Sequence, residues 1–428
     1  MSDALEQSLL AEIAQIRAVD THSHLPGEAS YLESKPDALS LLQCYVNGDL
    51  VSAGCPPETV AHIADATRGS VAERWELLAP WWRRFRTGSY GRMWERTVTG
   101  LLGAPEISAE GLEQATARMR ELHQPGLYRH VMSDLCNLQV SLLDRGDPST
   151  GLAEADRETF LPVVRPHQFL FARSQFDLVA LEREFGLRLH RLEALAHGLE
   201  SYLAGAQEQG AVAVKLTLAY QRSLQVDKPS QHEAETLFNR IFQGRGEGLS
   251  WAEAKPLQDY LLHRCLQAAL DLDLTVIFHT GLQAGGVNLV ADTNPTLLNT
   301  LLMEYRDLRI DLFHAGYPYV RECAVLAKYF PNVWADLAWM HLISAAGVRE
   351  FLPDWLDLVP AGKILGFGAD LFSVEMVWGH LALARENLAA VLAQRVRRGY
   401  DTEAQALDLA RLMLREAPAE CYRLGLSG

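Results

Sequence analysis

Five polar residues stand at the ends of apolar runs and belong to the types that bind divalent metal: His22, His24, His279, His314 and Asp370. His22 and His24 are two apart, so on a strand they point to the same side and can grip one ion. Neutral imidazoles from further strands and one carboxylate would complete a nitrogen and oxygen shell suited to zinc, manganese or iron. A His-x-His pair carries little information by itself, since 14 histidines in 428 residues give about half such a pair by chance. Any one of these histidines reads equally well as a satisfied core residue. Five metal-binding types at successive run ends are far rarer.

Lys215 lies inside AVAVKLTLA, an apolar run in which a charge must be paired or modified. It is either a bridging or substrate-facing group or a lysine that reaches out of the strand end to water. Arg222 in LAYQRSL is a candidate bidentate clamp for a substrate carboxylate, with an exposed loop arginine as the alternative. Tyr220 and Tyr317 are further substrate-facing candidates. Gly366 and Gly368 in ILGFGAD lack the third glycine of a dinucleotide loop, so that reading falls. Trp75, Trp81 and Trp82 recur at helical spacing and are read as packing, with WWRRFR a candidate rim over the site.

These residues need elements to hold them. Leu5, Leu9, Leu10, Ile13 and Ile16 predict an amphipathic helix that leads into a strand over Arg17 to His24. From Tyr31 to Asp134 the period turns helical, which predicts a helical insertion over 31–134. Beyond it come LQVSLLD, FLPVVR, AVAVKLTLA, LTVIFH, LRIDLFH, NVWADLA and KILGFGAD, most of them separated by helical stretches. Eight runs predict an α/β fold, a (β/α)8 TIM barrel, closed by helices from Leu381 to Leu426. The expectation is one barrel domain over 1–428 with that insertion, and a doubly wound open sheet is the competing architecture. In a barrel the active site lies at the carboxyl ends of the strands, where the five residues stand.

Composition narrows the function classes. Hydrophobic residues make up 48 % of the chain, and 54 acidic against 39 basic side chains give a net charge of −15. With no basic cluster, nucleic acid is a poor partner. No apolar stretch is long enough for a membrane span and no signal peptide is evident, so the expectation is a cytoplasmic protein acting on a small-molecule substrate. The six cysteines (Cys44, Cys55, Cys136, Cys265, Cys323, Cys421) form no Cys-x-x-Cys pair and are read as reduced thiols in the core.

DTHSHL, VAVKLTLAYQRSL, VIFHTG, DLFHAGYPY, NVWADLAW and ILGFGADLF together resemble the amidohydrolase superfamily, in particular the "amidohydrolase 2" branch. That branch includes FluG-type N-terminal domains and is related to uronate isomerases and to a decarboxylase group. The resemblance implies a metal site in which His22 and His24 match the first-strand pair, His279 the fifth-strand histidine and Asp370 the eighth-strand aspartate. His314 matches the sixth-strand histidine, which orients water or substrate in one-metal members and binds the second ion in two-metal members. Lys215 lies where some two-metal relatives carry a carboxylated lysine. One or two ions, most often zinc, are thus implied. The expected chemistry is hydrolysis of an amide, ester or lactone in a small carboxylate-bearing molecule, with Asp370 moving the proton and His314 stabilising the oxyanion. Uronate isomerisation or decarboxylation on the same shell, and a non-catalytic barrel scaffold, are the alternatives. A homo-oligomer is expected.

Overall fold

Every apolar run named above becomes a strand. The computed structural model describes residues 4–43, 45–145, 156–244, 248–285 and 288–426, which leaves Cys44 outside the described residues. The strands are β1 (Ala18–Ser23), β2 (Leu138–Leu143), β3 (Phe160–Val164), β4 (Ala213–Leu216), β5 (Thr275–Phe278), β6 (Ile310–Leu312), β7 (Val333–Asp336) and β8 (Ile364–Leu365). They form one eight-stranded sheet in the order β1 to β8, and the registered pairs are parallel. Parallel neighbours taken in chain order need a crossover at each step, and this wiring is that of a (β/α)8 barrel. All residues of β1, β4, β5, β6, β7 and β8 are buried, as strands covered on both faces must be.

The chain divides into two compact units. The first comprises 1–143, 152–160 and 336–418, and so holds β1, β2 and β8. Between β1 and β2 the chain is helical, with its longest helices at Val71–Phe85 and Ala109–Leu122. Ser70 and Glu73 form a reciprocal capping box on the former, a device that typically contributes about 1 kcal/mol. Its core-facing Arg74 is 1 % exposed and pairs with Asp37. Trp82 packs edge-on against Phe85 and Trp94, and Arg84 covers Trp81, so WWRRFR is engaged in packing within this helical segment. Glu375, at the start of the helix Val374–Arg397, accepts from Tyr31 and bonds His123, each at 2.6 Å. That buried carboxylate ties the segment after β1 to the helix after β8.

The second unit comprises 144–151, 161–335 and 419–428 and holds β4 to β6 with all but one residue of β3 and of β7. Its helices Gln175–Phe185, Gln231–Gln243 and Trp251–Asp271 each begin at a serine capping box, with Ser174, Ser230 and Ser250 as caps. Thr275 donates to the carbonyl of Cys421 at 2.6 Å, which anchors the C-terminal segment to β5. Cys55, Cys136, Cys265, Cys323 and Cys421 are buried free thiols. No helix among the described residues is long and apolar enough to cross a membrane.

Candidate metal centre

In the first unit β8 ends at Leu365, yet the chain stays zipped to β1 beyond it. Thr21 donates its amide to Phe367, Asp370 to His22 and His24 to Leu371, at 3.1, 2.7 and 2.9 Å. Gly368 is required here: a β-carbon on it would lie 2.5 Å from Thr21 Oγ1 and 2.6 Å from Ala338 Cβ. The glycines of ILGFGAD therefore serve close packing, and the seam carries Asp370 to the two imidazoles. Asp370 has φ 51°, a left-handed conformation that aspartate tolerates better than most residues. Its Oδ1 lies 3.1 Å from His24 Nε2 and 3.9 Å from His22 Nε2, and the two imidazoles meet edge-on at 4.6 Å.

Two residues of this site were not singled out from the sequence. Tyr45, from the helical segment, donates to the same Asp370 Oδ1 at 3.0 Å and packs on Trp339 at 4.6 Å. Asp20 is fully buried, its Oδ1 accepting the amides of Ala369 (2.7 Å) and His22 (3.2 Å) and its Oδ2 the hydroxyl of Ser141 (2.7 Å). Burial pushes the Asp20 carboxyl up to about 7, opposed by those hydrogen bonds. An acid two residues before His22 on one strand shares its face, and that spacing was the signal available. Tyr45 had none, because nothing local links it to Asp370, 325 positions away.

Behind the seam, His380 donates from Nδ1 to the carbonyl of Ala369 and His341 from Nε2 to that of Gly366, each at 3.0 Å. Burial pushes His341 down to about 4 and His380 well below its ordinary range, so both are neutral braces of the β8 end.

In the second unit the donors sit on β4, β5 and the turn after β6. His279 follows β5, and its Nε2 lies 3.0 Å from the carbonyl of Leu282. A carbonyl only accepts, so Nε2 carries the proton and Nδ1 keeps a lone pair, as in histidines that bind metal through one nitrogen and a carbonyl through the other. That Nδ1 is 3.1 Å from His314 Nε2. The loop reaches this position through Gly281, at φ 69°, where a β-carbon would lie 2.4 Å from the carbonyl oxygen of Tyr317. His314 lies beyond the end of β6, in a tight turn over Phe313–Gly316, at φ 63°. Lys215 is 1 % exposed, with Nζ 3.4 Å from the Phe313 ring centroid, so it does not reach out to water. Tyr220 packs its ring at 4.9 Å on His279 and accepts the amide of Ala284. Tyr317 is half-buried three residues after His314.

Arg222 is placed differently from a clamp. It is 9 % exposed, and its guanidinium bonds Asp259 at 2.6 Å and the carbonyls of Ser223 and Gln225. Asp259 also accepts from Lys255 and from the Asp227 amide. The arginine thus closes its own loop, and the carboxylate expected on the substrate loses the group that suggested it.

The chain is an in-order βα barrel with imidazole or carboxylate side chains at or just after the ends of its first, fifth, sixth and eighth strands. The family model for amidohydrolases matches residues 194–424, more than half of the chain, and the protein belongs to that family. Protein fluG of Emericella nidulans is 28 % identical over 226 residues, which cover 51 % of this chain and 26 % of fluG. The chain thus matches about a quarter of that relative's length. Among solved structures, uronate isomerase of Thermotoga maritima superposes with a TM-score of 0.81 at 17 % identity, over 99 % of this chain and 98 % of the other. Glucuronate isomerase of Caulobacter crescentus gives 0.79 at 17 % identity, over 100 % and 96 %. These likenesses extend over the helical segment after β1 and establish the fold.

Proposed function

We propose that the protein is a metal-dependent hydrolase that cleaves an amide, ester or lactone bond in a small molecule. The observation that carries the reading is the convergence of Asp370 Oδ1 on the Nε2 atoms of His24 and His22. Two neutral imidazoles and a carboxylate are a donor set that fits zinc, manganese or iron. In the first unit His22, His24 and Asp370 would hold the ion; His279, His314 and Lys215 are the corresponding donors of the second unit. A divalent ion supplies Lewis acidity there, polarising a carbonyl and making water nucleophilic near neutral pH.

The remaining work falls to side chains. Asp370 takes the proton of the attacking water and passes it to the leaving group, while the Tyr45 hydroxyl, 3.0 Å from Oδ1, keeps the carboxylate aimed. His314, held rigidly in its turn, donates to the developing oxyanion. Tyr220 and Tyr317 flank the histidines of the second unit and face the substrate.

A second reading has a specific observation in its favour: the whole-chain likeness to uronate isomerases. On it, the same donors would bind a hydroxy-carbonyl sugar acid while Asp370 moves a proton between carbons. The test is elemental analysis of protein expressed with zinc and manganese, followed by turnover assays on amides, esters, lactones and uronates. One or two ions per chain with hydrolysis of any member of the first three classes supports the proposal. Turnover of uronates alone replaces it with the isomerase reading, and protein that retains no ion removes both.

A further inference from the structure

Far down the helix that follows β8, a positive charge is buried without an anion. Arg385 lies in Val374–Arg397 and is 8 % exposed. One of its Nη2 protons goes to the carbonyl of Cys136 at 2.7 Å, and its Nε is buried with no hydrogen-bond partner. No carboxylate among the described residues pairs with it. Cys136 is no counter-ion either, because burial pushes its thiol up to about 12. A guanidinium offers five donors, and here desolvation is met by a single carbonyl.

The same side chain lines a cavity of about 200 Å³. It is also lined by Leu10, Ala14, Leu135, Trp378 and Ala382 and by the ion pair of Arg96 with Glu386. The walls are mostly apolar, the one charge left over once Arg96 and Glu386 pair is positive, and the volume is below that of ordinary drug-sized sites, which suits a fragment-sized occupant. Arg385 is eleven residues beyond Val374, about 16 Å along the helix at 1.5 Å per residue, and Cys136 precedes β2. The cavity therefore lies toward the amino ends of the strands, away from His22, His24 and Asp370.

We propose that this cavity is a second ligand site, which takes a small monocarboxylate with an apolar body, the carboxylate on Arg385 and the body against Trp378, Leu10 and Leu135. Such a ligand satisfies the guanidinium with charge-assisted bonds and buries its own hydrocarbon. The site is independent of the reaction assigned to the strand ends.

The test uses the metal-loaded full-length chain and isothermal titration with benzoate and hexanoate, against benzyl alcohol and hexanol as uncharged counterparts. Saturable binding of the acids is expected, with the alcohols at least about tenfold weaker, as loss of a charged hydrogen bond implies. Arg385→Met should weaken benzoate by at least about tenfold without lowering the unfolding temperature, since an apolar side chain replaces an unpaired buried charge. Ala382→Leu, which fills the cavity and leaves Arg385 in place, should weaken it similarly. Asp370→Asn should leave benzoate binding unchanged. The proposal is overturned by absence of binding, by equal affinity for acid and alcohol, by benzoate binding that survives both cavity variants, or by binding that disappears in Asp370→Asn, which would place the anion at the metal.

Discussion

The β1–β8 seam and the β4–β6 run present similar donors in opposite mechanical settings. In the seam, Asp370 is held by backbone pairing with His22, by Asp20 on the neighbouring amide and by His380 on the neighbouring carbonyl. In the β4–β6 run, His279 and His314 are positioned by one carbonyl, one glycine and a turn at positive φ. The first arrangement fixes a carboxylate through many weak constraints, whereas the second orients an imidazole through the Leu282 carbonyl and the facing His314. The seam should therefore yield chiefly where one group carries several of its contacts, as Asp20 does for two amides, and the run wherever its carbonyl or glycine is lost.

The sharpest way to break this contrast is to remove the shared endpoint. Asp370→Asn should lower turnover by about a thousandfold or more on any substrate found by the assays above, because it deletes both a ligand and the proton carrier; near wild-type kcat would sink the mechanism. Next in size is Asp20. Asp20→Ala, which strips the Ala369 and His22 amides of their acceptor, should weaken metal affinity by about 10- to 100-fold, while Asp20→Asn keeps Oδ1 and should recover most of it. Competition with a chelator reads both, and equal losses in the two variants would deny Asp20 a positioning role.

Arg222→Met leaves Asp259 buried without its arginine and should cost about 3 kcal/mol or more in urea unfolding, with KM changed by less than about threefold. A large rise in KM at unchanged stability would restore the clamp reading. The smallest effect separates the braces from the donors. His341 has its folded-state value lowered to about 4 against an ordinary 6.5, so protonation favours the unfolded chain. Its contribution is intact above pH 6.5 and is lost as the pH falls toward 4, by about 3 kcal/mol in all. His341→Gln should flatten the dependence of unfolding midpoint on pH in that window; an unchanged profile would mean that His341 is not buried neutral.

Much of this was legible in the chain. Every strand coincides with an apolar run bounded by turn residues, and a run's terminal polar residue needs no tertiary knowledge to find. His22, His24, His279 and Asp370 were visible for that reason. His314 was visible, but not its turn beyond β6. The bond of Arg222 to Asp259 was hidden, because Asp259 lies 37 positions away inside a helix whose sequence gives no sign of facing it. Tyr45 comes from the segment after β1, where helical periodicity reports which face is buried but not which side chain reaches another element's end.

Gly281 shows what a tally of donors leaves out. A chain could keep every histidine and aspartate of this site and still lose its chemistry by exchanging that one glycine, since any side chain there would push Leu282 away from His279 and free the imidazole to carry its proton on the wrong nitrogen. A glycine that binds nothing thus sets which nitrogen of His279 meets His314.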